Sequence, residues 1–131
     1  MSREAKAFLT RWYAYMENPT PELLDDLVAE DAGISSPAFY KPKYSKAYVI
    51  SILNAVNEGF EDFVYKKEWI DGRDIILEFE TRIGDVNLKG IDRITVDENA
   101  RMKHIEVLIR PLNGLIALAE HVKATLAKAA A

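Results

Sequence analysis

At 131 residues, 49% of them apolar, the chain has the size of one domain with one core and little left for a second. It has no cysteine, which excludes disulfides and thiolate chemistry, and its 17 basic and 21 acidic residues (net charge −4) are mixed without the basic stripe of a nucleic-acid binder. No apolar run is long enough to span a membrane and the charged amino terminus does not read as a signal peptide, so the expectation is a cytoplasmic protein without membrane contact.

Residues 3–17 have the spacing of an amphipathic helix: Phe8, Trp12 and Tyr15 recur at i, i+4 and i+7, with Leu9 and Met16 widening the stripe. Asn18-Pro19 ends it. Thr20 as N-cap, Pro21 in the first helical position and Glu22 in the first turn start a second helix, with Leu23, Leu24, Leu27 and Val28 as its buried face. From Asp31 the helical period fails, and DAGISSPAFYKPKY predicts a short strand and then a loop, interrupted by Pro37 and Pro42. Ser45 caps a third helix carrying Val49, Ile52, Leu53 and Val56 on one face, with Gly59 near its end.

The second half changes period. Strands are predicted near 60–70, 73–83, 86–96 and 101–110. Asp71-Gly72 suits a type I′ hairpin loop and Gly84-Asp85 a type II′ loop, while Asp97–Ala100 makes a looser turn. Such short connections predict an antiparallel meander. Pro111 ends the last strand, and Leu112, Leu115, Leu118, Ala119, Val122 and Leu126 mark a final helix whose KATLAKAAA tail is expected to fray. Helices first, then a sheet, then a helix: the fold class is α+β, with 1–131 as one domain.

Alternation assigns faces to the strands. Ile75, Leu77, Phe79, Thr81 and Ile83 share one face, and Ile105, Val107 and Ile109 another. On strand 86–96, Leu88, Gly90, Asp92, Ile94 and Val96 point the same way, which places one carboxylate among apolar neighbours. A carboxylate there needs a hydrogen-bond donor, or its pKa rises until it is protonated. Three roles for Asp92 stay open. It can be structural, bonded to a backbone amide, a tyrosine or Lys89/Arg93 across a bulge; it can contact a ligand; or it can act as a catalytic acid or base.

Other chemistry is thin. His104 and His121 have no partners at metal-ligand spacing, so no metal is expected. No phosphate-cradling glycine loop is present and no cofactor is expected. His121 could pair with Asp92 only if it turned toward a cavity mouth; a helix-surface histidine is the simpler expectation. Trp12, Tyr15, Phe39, Tyr40, Tyr48 and Phe79 can line a pocket for a flat apolar molecule or belong to an ordinary core. The strand phase around Trp69 is ambiguous.

Helix 3–17, the proline-marked second helix, the Ser-Pro after a short strand, the hairpin meander and the run GIDRITVDENARMKHIEVLIRPL occur in one order. In that order the chain resembles the SnoaL-like branch of the nuclear-transport-factor-2-like superfamily over nearly its whole length. The resemblance implies a cone, in which a curved antiparallel sheet wraps on helices around a hydrophobic cavity, and often a homodimer through the outer sheet face, here His104, Glu106 and Arg110. Ala100 stands where the family usually has glycine, so this turn is expected to differ in backbone shape. Matched to the ketosteroid isomerase pattern, the donor Asp is Asp92, the general-base position before Pro37 is Ser36, and the first-helix tyrosine position is Trp12. An unassisted serine hydroxyl is too weak a base to take a carbon-bound proton, so that reaction is not expected.

Two functional readings follow from this. In the first, a small hydrophobic molecule occupies the cone against Trp12, Tyr15, Ser36, Phe39, Tyr40, Phe79, Asp92, Ile105 and Ile109, with isomerase-, cyclase- or hydrolase-type acid–base chemistry at Asp92 as its enzymatic form. In the second, the large inward residues Phe79, Ile105 and Ile109 fill the interior, and the protein is a non-enzymatic dimeric adaptor.

Overall fold

A computed structural model describes residues 2–130. Helix α1 spans Arg3–Glu17; the Ser2 hydroxyl caps it by accepting from the Ala5 N–H at 3.0 Å, and Phe8, Trp12 and Tyr15 are buried along one stripe. Helix α2, Pro21–Leu27, is capped by Thr20 and buries Leu24 and Leu27. It differs from its sequence pattern in two respects: Leu23 is exposed, and Val28 already belongs to strand β1 (Val28–Ser35), which follows with no loop. The predicted loop contains a two-residue strand β2, Lys43–Tyr44, before helix α3, Lys46–Gly59, capped by Ser45 as expected.

Four strands form the meander: β3 (Glu61–Asp71), β4 (Asp74–Ile83), β5 (Val86–Val96) and β6 (Met102–Arg110). Helix α4, Leu112–Ala130, follows β6 and packs Val122 and Leu126 against the core. The curved, unclosed sheet runs in the order β2-β1-β6-β5-β4-β3, all neighbours antiparallel except β1 and β6, which are parallel. This parallel ladder closes over most of the chain length, so no local turn signal announces it.

Two turns correct the sequence reading. Asp71 pairs with Asp74, so the first hairpin loop is Gly72-Arg73, with Gly72 at φ +61° and Arg73 outside the left-handed region: the φ pattern of a II′ loop, not I′. Ala100 keeps the left-handed backbone of a glycine position, at φ +59°, so the turn retains its shape and alanine bears the strain. The turn is held by the Asp97 carboxylate, which accepts from the N–H groups of Asn99 and Arg101, and by Arg11, which donates to the Ala100 carbonyl at 2.9 Å.

The helices pack on one face of the sheet. Phe8, Trp12, Leu24, Leu27, Ile34, Val49, Ile75, Leu77, Ile94, Met102 and Ile105 form the buried core, concentrated where α1, α2 and α3 meet β1, β4, β5 and β6. Toward the α4 side the same layer does not close up, and this is where the cavity lies.

Candidate functional site

A cavity of about 550 Å³ lies between the inner sheet face, α1, α3 and α4. Its walls are overwhelmingly apolar. Helix α3 contributes Tyr48, Ile52, Leu53 and Val56; α4 contributes Leu115, Leu118, Ala119, Val122 and Leu126; Phe60, Phe63 and Phe79 form an aromatic wall. In that wall Phe63 stacks on Phe79 at 5.1 Å and meets Tyr65 edge-on at 4.8 Å. The volume falls in the range usual for small-molecule sites.

The polar groups converge at one place. Asp92 on β5 and Tyr65 on β3 flank β4 and both line the cavity, as does Trp12 from α1. Trp12 Nε1 donates to the Tyr65 hydroxyl oxygen at 2.8 Å. An indole N–H can only donate, so the tyrosine oxygen is the acceptor and its own proton is free to turn toward Asp92, whose charged form it favours. Protein encloses Asp92 on all sides except toward the cavity. The lost hydration raises its pKa from 3.8 to about 7, and the Tyr65 hydroxyl offsets only part of that rise. Burial and the neighbouring Asp92 hold the Tyr65 phenol well above its usual value. Near neutral pH the site therefore offers a carboxyl group able both to give and to accept a proton.

The residues singled out from sequence divide into two groups. Trp12, Ser36, Phe39, Phe79 and Asp92, with Tyr48, meet at the cavity. Tyr15, Tyr40, Ile105 and Ile109 do not line it. Tyr15 is buried on the α1 stripe, where its hydroxyl accepts from Asn57 Nδ2 at 3.1 Å and burial raises its pKa. Tyr40 is fully exposed because the loop turns outward after Phe39. Ile105 is packed deeper in the core, and Ile109 lies beside Gly90 near the strand end, so Val107 between them is the side chain of that face that reaches the cavity. Ser36 lines the cavity with its Oγ accepting from the Ala38 N–H at 3.0 Å. His121 faces α3: its Nε2 lies 3.0 Å from the Ala55 carbonyl, and its ring packs on Gly59, where a side chain would collide with it. It is a helix-joining residue, outside the cavity lining.

Tyr65 is the polar cavity residue that sequence reasoning missed. Phe63 and Tyr65 do alternate with Val64 and Lys66, but a register shift between Tyr65 and Lys67 reverses the phase, so Trp69 pairs with Ile76 on the outer face. A period-two reading across the whole strand averages the two halves and hides the inward pair.

On the outer face, His104 Nε2 lies 2.8 Å from the Ser35 hydroxyl and Glu106 lies 3.7 Å from Arg93. Among the described residues no group of His, Cys, Asp and Glu is placed to hold a metal ion, and no helix is long and apolar enough to cross a membrane.

Solved structures place this architecture among known proteins. A steroid delta-isomerase from Pseudomonas aeruginosa superimposes with a TM-score of 0.92 at 38% identity, over 98% of this chain and 95% of that one. An uncharacterized protein with a cystatin-like fold from Silicibacter pomeroyi reaches 0.83 at 28% identity, over 89% of this chain and 83% of that one. A protein named as a SnoaL-like polyketide cyclase, from Jannaschia, shares the fold alone, with a TM-score of 0.73 at 8% identity over 91% and 96% of the two chains. No protein-family model and no curated protein sequence matches the chain. Near-complete mutual coverage at 38% identity, on a cone of this topology, is more than a shared architecture: the chain belongs to the nuclear-transport-factor-2-like superfamily, in its SnoaL-like and ketosteroid-isomerase-like part.

Proposed function

We propose that this protein binds a small, mostly apolar molecule in its cavity, with Asp92 and Tyr65 engaging a carbonyl or hydroxyl oxygen of that molecule. The observation that carries the reading is the convergence of Asp92, Tyr65 and Trp12 on one point of an otherwise apolar cavity. In its protonated form Asp92 donates a hydrogen bond into the cavity; ionised, it can receive a proton. The acid–base chemistry of an isomerase, cyclase or hydrolase at this site would run through that one group.

Ketosteroid-type isomerisation is not part of the proposal, although a 38% identical relative is named a steroid delta-isomerase. That pattern asks for a carboxylate before Pro37 and a tyrosine on the first helix, and this chain has Ser36 and Trp12 there. The unfilled interior favours a ligand binder over an adaptor whose core is closed by Phe79, Ile105 and Ile109. We also assign the outer sheet face, with His104, Glu106 and Arg110, to a homodimer contact. Trp69, Val64 and Leu108 expose about half their surface and share that face.

Two measurements test this. Native mass spectrometry of freshly purified protein, followed by solvent extraction, reports the assembly mass and any small molecule carried with it; a monomer would remove the sheet contact. Titration with the neutral fluorophore 1-aminoanthracene then compares the wild type with Ala119→Trp, which fills the cavity from α4. Saturable binding lost in the variant is the expected result, and equal binding by both proteins would sink the cavity assignment.

A further inference from the structure

The cavity's mouth differs in chemistry from its floor. Among the lining residues, Ala38, Phe39 and Lys123 are exposed, and they mark the opening between the loop after β1 and helix α4. Lys123 has no carboxylate within 4.0 Å among the described residues. Lys43 stands over the ring of Tyr48, itself a lining residue, with its Nζ 4.1 Å from the ring centroid. From Ala32 to Asn57 the chain carries Lys41, Lys43 and Lys46 and no Asp or Glu. Only Lys46 of the three is ion-paired, with Asp25 and Glu30. A second hollow shares Met16, Asn57, Phe60, Phe63 and Tyr65 with the cavity wall; it is bordered by Glu17 and by no Lys or Arg. One end of the cavity is thus cationic and the other is not.

We propose that the natural ligand class is an apolar carboxylic acid, held with its hydrocarbon body in the cavity and its carboxylate at the mouth beside Lys123 and Lys43. This rests on the cavity-binding reading above and adds the charge and orientation of the ligand. The reverse orientation is disfavoured. A carboxylate carried inward loses its hydration, meets no cation on the inner wall, and faces the carboxyl of Asp92. At the mouth it keeps contact with water and meets Lys123, with Lys43 on the neighbouring ring of Tyr48. The polar pair at the floor, Asp92 and Tyr65, is then left for an uncharged oxygen further along the same molecule.

Decanoate and decanol carry the same chain with and without the charge, and both are read by displacement of 1-aminoanthracene. Lys123→Gln is expected to weaken decanoate about two- to fivefold while leaving decanol unchanged, the size of a partly exposed ion pair. Lys43→Gln/Lys123→Gln together should weaken it further, and raising salt from about 50 mM to about 500 mM should shrink the difference. Both lysines are exposed, so the variants are expected to fold, which circular dichroism checks. Decanol binding with decanoate indifferent to Lys123 and to salt overturns the anionic-ligand proposal and leaves the apolar-ligand reading standing. Failure of decanoate, decanol and 1-aminoanthracene alike overturns both.

Discussion

Replacing Asp92 by Asn keeps the shape of the side chain and removes its titration, so it isolates the energetic consequence of an enclosed carboxylate. In the folded protein Asp92 titrates at about 7, against 3.8 for an unperturbed group. The folded pKa is raised, so between these two values the unfolded chain has released a proton that the native state still holds. Stability therefore falls as pH rises from 3.8 to about 7 and levels off above it. At about 1.36 kcal/mol per pH unit the full interval corresponds to about 4 kcal/mol, of which about 1.5 is already incurred near pH 5. The amide of the variant lacks this term but can still accept from Tyr65. The advantage of Asp92→Asn should therefore grow by about 2.5 kcal/mol between pH 5 and pH 8.5, and by less to the extent that cavity water solvates the carboxylate. Urea denaturation of both proteins at the two pH values measures the double difference, in which every other titrating group cancels. A gain that is constant with pH would refute the raised pKa and, with it, the view that Asp92 serves as a neutral donor near pH 7.

Tyr65→Phe removes the hydroxyl that lowers the Asp92 pKa and leaves the Trp12 indole N–H without its acceptor. The Asp92 titration, followed by carbon NMR of the labelled carboxyl, should move upward, and stability should fall by about 1–3 kcal/mol; an unmoved titration would remove Tyr65 from the site. Ala100→Gly relieves a left-handed alanine at φ +59° and should stabilise the fold by about 0.5–1 kcal/mol after the extra backbone entropy of glycine is set against it. A lower midpoint in urea would show that the buried Ala100 methyl matters more than its backbone.

The parts of this structure legible from sequence are those with local causes. Thr20 and Ser45 fix helix starts through a single hydroxyl each, and Gly84 fixes its hairpin through φ, while Gly72 marks a hairpin whose loop lies one residue further on than its dipeptide suggests. The inward direction of Asp92 follows from strict alternation on β5, a strand without a register break opposite β4. What escaped has non-local causes. Strand β1 pairs in parallel with β6, a ladder formed only once the meander exists. The register shift after Tyr65 exists only in the pairing of β3 with β4, and no pattern within β3 announces it. Tyr40 and Phe39 are adjacent aromatics in one loop, yet one is fully exposed and the other borders the cavity; composition cannot tell them apart because the path of the loop decides it.

Ser36 provides the sharpest test of how this site differs from a two-carboxylate one. It sits on the cavity wall immediately before Pro37, where its hydroxyl accepts from the Ala38 N–H, and Asp92 is the sole carboxylate among the described lining residues. Moving a double bond next to a carbonyl needs a base at carbon and a proton donor at oxygen at the same moment, and Asp92 can be only one of these at a time. Ser36→Asp supplies the missing base while Asp92, kept protonated by burial and now by a like charge in the same cavity, remains the donor. With a β,γ-unsaturated cyclic ketone as substrate, the wild type should show no more than slow turnover. The variant should gain about a hundredfold or more, the ordinary worth of a positioned general base. Conversion to the conjugated ketone is read by ultraviolet absorbance, and 1-aminoanthracene titration reports whether the cavity survived the substitution. Retained binding with no gain in rate would show that position 36 does not reach the carbon beside an oxygen held at Asp92. Fast turnover by the wild type would show instead that Asp92 needs no second carboxylate.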